Sequence, residues 1–141
     1  MGDGLDAVVS VLLDTHVLLW WQADGRKLSA VAAEAIAGAD AVLLSPLTFW
    51  EVGTLTRLRR IELDRPVATW VHDLLGQPRI TVAPLSPEAA AWAAELGGSF
   101  PGDPIDRMLY ATCRDLRVPL VSKDERLRSF AANARDIEIV W

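Results

Sequence analysis

Four acidic residues stand where a carboxylate needs a reason. Asp14 follows the apolar run Val11-Leu12-Leu13, and Asp124 follows Val121-Ser122-Lys123. Each closes what reads as a strand. Glu51 lies in a run headed by Ser45-Pro46, with Leu47 and Leu55 one helical turn away and Thr54 and Leu58 continuing that face. An acid on an apolar stripe calls for a cation, a hydrogen-bond network or a metal, because burying it unpaired is costly. Asp106 falls in the first turn of a helix opened by Asp103-Pro104. In open α/β sheets the loops beyond the carboxyl ends of the strands converge where strand order switches, so these acids can face one site. Converging carboxylates repel one another unless a divalent cation neutralises them, and an all-oxygen donor set selects a hard ion such as Mg²⁺ or Mn²⁺. Such an ion activates water and offsets charge on a phosphate during in-line displacement, which is the chemistry of metal-dependent nucleases.

Each acid also has a purely structural role open to it. Asp14 suits a strand-end turn, Asp124 suits the N-cap of a helix from Glu125 to Phe130, and Asp103 suits the N-cap before Pro104. Asp106 then falls at the third helical position, which the helix dipole favours. Capping is the preferred reading for Asp103. Arg107 and Lys123 adjoin motif acids and are candidates for phosphate contact, for tuning the site or for ion pairing. Arg57, Arg59 and Arg60 close their helix, where cations suit the dipole, so a structural role is at least as open to them as an RNA contact. His16 and His72 have no second histidine at ligand spacing.

The elements that must position these residues can be read from apolar periodicity. Val8 to Leu13 is a nearly unbroken β-branched run, the pattern of a strand buried on both faces in a parallel sheet. Ala41 to Leu44, Ile80 to Val82, Val118 to Val121 and Ile137 to Val140 are similar short runs. Helical patterns lie between them: Ser29 to Ala39, Pro46 to about Arg60, Pro66 to Leu75, Pro87 to Leu96, and from Pro104 through Leu116 with Ile105, Met108, Leu109 and Thr112 at spacings of three and four. A capping residue followed by proline opens several of them. Strands alternating with helices predict an α/β fold with a mainly parallel sheet. Gly97 to Gly102 reads as the most flexible loop.

With 141 residues, 51% of them hydrophobic, the chain is sized for one core; we expect a single domain over 8–141, preceded by a short N-terminal extension at 1–7. The apolar stretches are too short to span a membrane. The first ten residues carry Asp3 and Asp6 and no Lys or Arg, unlike a secretory signal, and the single Cys113 forms no internal disulfide, so a cytoplasmic location is expected. A net charge of -5 opposes nucleic-acid binding through overall positive potential. The expectation is that divalent cations offset part of that charge and that basic residues are supplied locally or by a partner. Among the six tryptophans, Trp20, Trp21 and Trp50 are candidates for a partner surface.

Four motifs in order carry a family resemblance: Leu12-Leu13-Asp14-Thr15-His16, Ser45-Pro46-Leu47-Thr48-Phe49-Trp50-Glu51, Asp103-Pro104-Ile105-Asp106-Arg107-Met108-Leu109, and Ser122-Lys123-Asp124. The chain from Val8 to Trp141 resembles PIN-domain proteins, in particular VapC-type toxin ribonucleases of type II toxin–antitoxin pairs. The resemblance implies a three-layer α/β/α sandwich and Mg²⁺- or Mn²⁺-dependent endonuclease activity on RNA. It also implies a homodimer and inhibition by a cognate antitoxin. Asp14, Glu51 and Asp106 match the family's core acids, Asp124 its more variable fourth, and Thr15 the hydroxyl residue after the first acid. Asp103 matches a common extra acid.

Two other readings fit the residues. Asp14 could be the nucleophile of a phosphatase or phosphotransferase, with Lys123 and Asp124 assisting; His16 stands where such enzymes usually place a second Asp, and Glu51 would have no role. The acidic pocket could instead receive a basic partner peptide without catalysis, an arrangement compatible with an antitoxin Arg or Lys blocking the site.

Overall fold

Val11, Leu12 and Leu13 are at most 3% exposed, which places their strand at the centre of a sheet covered on both faces. The computed structural model describes residues 8–141; the extension expected at 1–7 lies outside the described residues. In chain order the elements are β1 (Ser10–Leu13), α1 (Thr15–Ala23), α2 (Ala30–Gly38), β2 (Ala41–Leu44), α3 (Pro46–Arg57), α4 (Val67–Leu75), β3 (Ile80–Val82), α5 (Pro87–Glu95), α6 (Pro104–Leu116), β4 (Leu120–Val121), α7 (Glu125–Ala134) and β5 (Ile139–Val140).

The five strands form one sheet in the order β3-β2-β1-β4-β5, and every pairing is parallel. The chain builds outward from β1 through β2 to β3, then crosses to the other side of β1 for β4. The switch point is therefore the crevice between β1 and β4, and the residues leaving those two strands are Asp14 and the segment Ser122 to Asp124. Side chains alternate across β1: Val11 and Leu13 pack with Val17, Leu18 and Ile36 on one face, while Leu12 packs with Leu109 and Cys113 on the other. Helices thus cover both faces, as the three-layer expectation required.

Two sequence expectations are corrected. The apolar run extends the buried strand back to Val8 and Val9, but these are 67% and 56% exposed and β1 begins at Ser10. The sequence pattern predicts no helix after Asp14, yet α1 starts there. Val17 to Trp21 is apolar around the helix, and an all-round apolar run carries no 3.6-residue stripe from which to read one. The start signal is Asp14 itself, whose carboxylate accepts the Val17 N–H at 2.9 Å. Smaller differences follow the same logic. α7 runs on to Ala134, and Pro66 heads α4 with no side-chain cap.

Candidate active site

The four acids expected to act together line one cavity of about 470 Å³, which Thr15, His16, Trp20, Asp103, Ser122 and Lys123 also line. Different elements deliver them. Asp14 is presented by the end of β1, Glu51 by the second turn of α3, Asp106 by the first turn of α6 and Asp124 by the turn after β4. Three of these carboxyl groups are fixed by helix starts. Asp14 caps α1. Asp124 caps α7, accepting the Arg126 and Leu127 N–H groups at 2.9 and 3.3 Å. Asp103 and Asp106 form a reciprocal capping box at the head of α6: the Asp106 N–H donates to Asp103 Oδ1 at 2.9 Å and the Asp103 N–H to Asp106 Oδ2 at 3.3 Å. The capping roles read from sequence and the shared cavity are therefore compatible.

Glu51 is positioned by a side chain. Thr15 Oγ1 donates to Glu51 Oε1 at 2.5 Å and lies 3.5 Å from Thr48 Oγ1. Thr15 and Thr48 are both essentially inaccessible. The buried stripe of α3 runs through Thr48 and Val52, so the Leu47–Glu51–Leu55 line expected from spacing is its half-buried border and not its centre; Leu58 is exposed.

Burial raises the Asp14 carboxyl above its ordinary value, against hydrogen bonds from Ser122 and Val17 and the nearby His16, while the Glu51 charge reinforces the rise. Asp106 is pushed up to about 7, by burial first and then by the charges of Asp103, Asp14 and Glu51. Asp124 behaves oppositely. Burial works to raise it, but Arg126 and the α7 N–H groups hold it below its usual value. Two uncompensated carboxyls beside a compensated one is the pattern that a divalent cation would relieve.

The donor set, all oxygen, suits a hard ion. As they stand, no three of the described Asp, Glu, His or Cys side chains are gathered tightly enough to cage one. The reason is local, since Asp14, Asp106 and Asp124 each turn an oxygen onto a backbone N–H. Mg²⁺ in proteins keeps several waters and takes only one or two carboxylates, so this open arrangement fits its habits.

The accessory residues divide. Thr15, Asp103 and Lys123 line the cavity. Arg107 does not: its guanidinium donates to the carbonyls of Leu96 at 2.5 Å, Gly97 at 3.2 Å and Ala93 at 3.4 Å. It ties the end of α5 to α6. The loop expected to be flexible is held by that strut and by Phe100, which is 4% exposed against Tyr110 and Phe130. Within it, a Cβ on Gly102 would meet Asp106 Cβ at 2.5 Å, so only glycine lets the loop pass this close to the carboxylate. Sequence reasoning gives no role to Ser122, which is fully buried with its hydroxyl toward Asp14, or to Arg126, whose Nη2 lies 3.4 Å from Asp124. A small polar residue directly after a strand is the available signal for Ser122.

The PIN domain family profile matches residues 11–133. This chain belongs to the PIN-domain family. The expected three-layer α/β/α architecture is thereby the architecture of a PIN domain. Ribonuclease VapC22 of Mycobacterium tuberculosis is 43% identical over 122 residues, spanning 86% of this chain and 92% of that protein. VapBC-1 from nontypeable Haemophilus influenzae superposes with a TM-score of 0.67 at 13% identity, covering 93% of this PIN domain and 96% of that chain. The Mycobacterium tuberculosis toxin VapC20, described as cleaving the sarcin-ricin loop, superposes with a TM-score of 0.61 at 18% identity, covering 91% and 97%. At these identities the two structural likenesses speak to the fold alone.

Proposed function

We propose that this PIN domain is a divalent-metal-dependent endoribonuclease acting as the toxin of a toxin–antitoxin pair. The observation that carries the reading is the set of acids from four separate elements on one cavity at the β1/β4 switch point, in a chain 43% identical to a ribonuclease. Asp14, Glu51 and Asp106 are the catalytic core and would hold Mg²⁺ or Mn²⁺, with Asp124 completing the set. A divalent ion bound there supplies charge neutralisation at the phosphate and a water of lowered pKa. The remaining work belongs to the chain. Thr15 keeps Glu51 turned into the cavity, the capping box sets Asp103 and Asp106, and Ser122 orients Asp14.

The net charge of -5 is countered locally. Helices α1, α6 and α7 all begin at this cavity, and their N-terminal dipoles offset part of the charge of the acids that cap them. Inhibition by a cognate antitoxin follows from the same pocket, since a guanidinium or ammonium group entering it would pair with acids that otherwise repel one another. A homodimer belongs to the same reading. The Asp14-nucleophile alternative is weaker. It leaves Glu51, which the buried Thr15 holds on the cavity, without a role.

Cleavage of RNA by the purified protein with Mg²⁺ or Mn²⁺ and with EDTA tests the proposal. Activity is expected with the metals, and its loss in Asp14→Asn and in Glu51→Gln. Cleavage retained by both variants sinks it.

A further inference from the structure

A second cavity, about 810 Å³, adjoins the acidic one and shares His16 and Trp20 with it. Its other walls are mixed: Lys27, Arg60 and the exposed Glu62 stand with the apolar Leu19, Ile61 and Trp70. The far side is chemically closed. Gln22 and Gln77 exchange reciprocal hydrogen bonds of 3.1 and 2.8 Å, and Arg65 is held by Asp64 and Asp73. Other cations are free of such partners. Lys27 and Arg60 on its walls, and Lys123 on the wall of the acidic cavity, are exposed and make no ion pairs among the described residues, whereas Arg26, Arg65 and Arg126 each pair with an aspartate. Two of these unpaired cations flank one indole: Lys27 Nζ lies 6.0 Å and Lys123 Nζ 5.7 Å from the Trp20 ring centroid. The exposed His16 ring adds a second π-face, 6.0 Å from that indole and tilted by 50°.

Exposed cations beside an aromatic surface at the rim of a carboxylate site match an anionic, planar partner. Single-stranded nucleic acid is such a partner, because its bases stack on aromatic rings and its phosphates seek Lys and Arg. We propose that this second cavity seats the single-stranded RNA flanking the scissile phosphate: one base stacks against Trp20 and His16, and the adjoining phosphates run along Lys27 and Arg60. The cavity volume is that of an ordinary ligand site. Trp20 is then the turning point between chemistry and grip. The inference rests on the ribonuclease reading and adds where the substrate lies.

The test is direct binding, read by the anisotropy of a labelled single-stranded RNA about 12 nucleotides long, in EDTA and at several KCl concentrations. Binding in EDTA needs neither metal nor cleavage. A Lys27→Gln/Arg60→Gln double variant touches no core residue. It is expected to bind more weakly and to lower the slope of log affinity against log salt by about 1.4, roughly 0.7 for each phosphate that is no longer neutralised. Trp20→Ala is expected to weaken binding about tenfold and Trp20→Phe to restore most of it. Unchanged affinity and salt slope in the double variant overturns the proposal even if Trp20→Ala misfolds. If that variant keeps its RNA affinity but escapes an inhibitory protein partner, the cavity is a protein site and the proposal is again overturned. Wild-type protein that binds RNA with these dependences but never cuts it defeats the ribonuclease reading alone.

Discussion

Thr15 and Glu51 are 36 residues apart in sequence, yet a 2.5 Å hydrogen bond joins the first turn of α1 to the second turn of α3. Thr15 is 2% exposed, so no water can replace the hydroxyl if it is removed. Thr15→Val keeps the shape and removes the donor. We expect a fall in stability of about 1.5–3 kcal/mol, the range for a hydrogen bond to a charged group, and a loss of RNA cleavage. Thr15→Ser restores both. Thermal denaturation and initial rates of the two variants check this, and a Thr15→Val protein indistinguishable from wild type removes the role assigned to Thr15.

The raised Asp14 and Asp106 carboxyls give a pH dependence of definite sign. An acid whose folded value lies above its unfolded value binds protons more tightly in the folded state, so its contribution to stability is greatest at low pH and is lost as pH rises. For Asp106 that window runs from about 4 to about 7. Metal-free protein is therefore expected to lose melting temperature across that interval, and Asp106→Asn to lose less. Mg²⁺ must displace the proton, so it should stabilise the protein more at about pH 8 than at about pH 5.5. Equal Mg²⁺-induced shifts at the two pH values contradict the assignment.

Arg107 separates two roles by kinetics. As a strut onto the Leu96 and Gly97 carbonyls it sets the loop that leads into Asp103 and Asp106, so Arg107→Met should lower kcat and melting temperature and leave KM for RNA within about twofold. Lysine, which lacks the planar fork, should restore little. A higher KM with unchanged kcat and a shallower salt dependence would return Arg107 to the substrate.

Asp124 offers a cleaner separation. Serine caps a helix about as well as aspartate, so Asp124→Ser keeps the start of α7 and removes the charge. Stability within about 0.5 kcal/mol of wild type, together with reduced cleavage, is the expected pair of results. Cleavage at the wild-type rate would leave Asp124 as a cap alone.

Most of the sheet is legible in the sequence because a strand buried on both faces has to be apolar throughout, and β1 and β2 announce themselves that way, while β3, an edge strand with Thr81 and Val82 exposed, shows only as a short β-branched run. α1 is hidden by the same property, since a helix apolar all round shows no periodicity. The acids are visible as polar exceptions in apolar surroundings. Their supports are less so. Arg107 adjoins Asp106 in sequence, but its partners lie 10 to 14 residues earlier in the chain, a meeting that only the crossing of α5 and α6 creates. Trp20 reads from sequence as a candidate for a partner surface, but its place between cations appears only when Lys27 and Lys123 are brought to its ring from two different loops.

Three of the four acids are also the residues that start helices, and Glu51 alone caps nothing. Truncating Asp14, Asp106 or Asp124 to alanine mixes loss of chemistry with a loosened helix, so inactivity there is ambiguous. Glu51→Gln is the substitution that should yield an inert protein with its architecture intact, suited to trapping uncut substrate or to producing the protein without harm to its host.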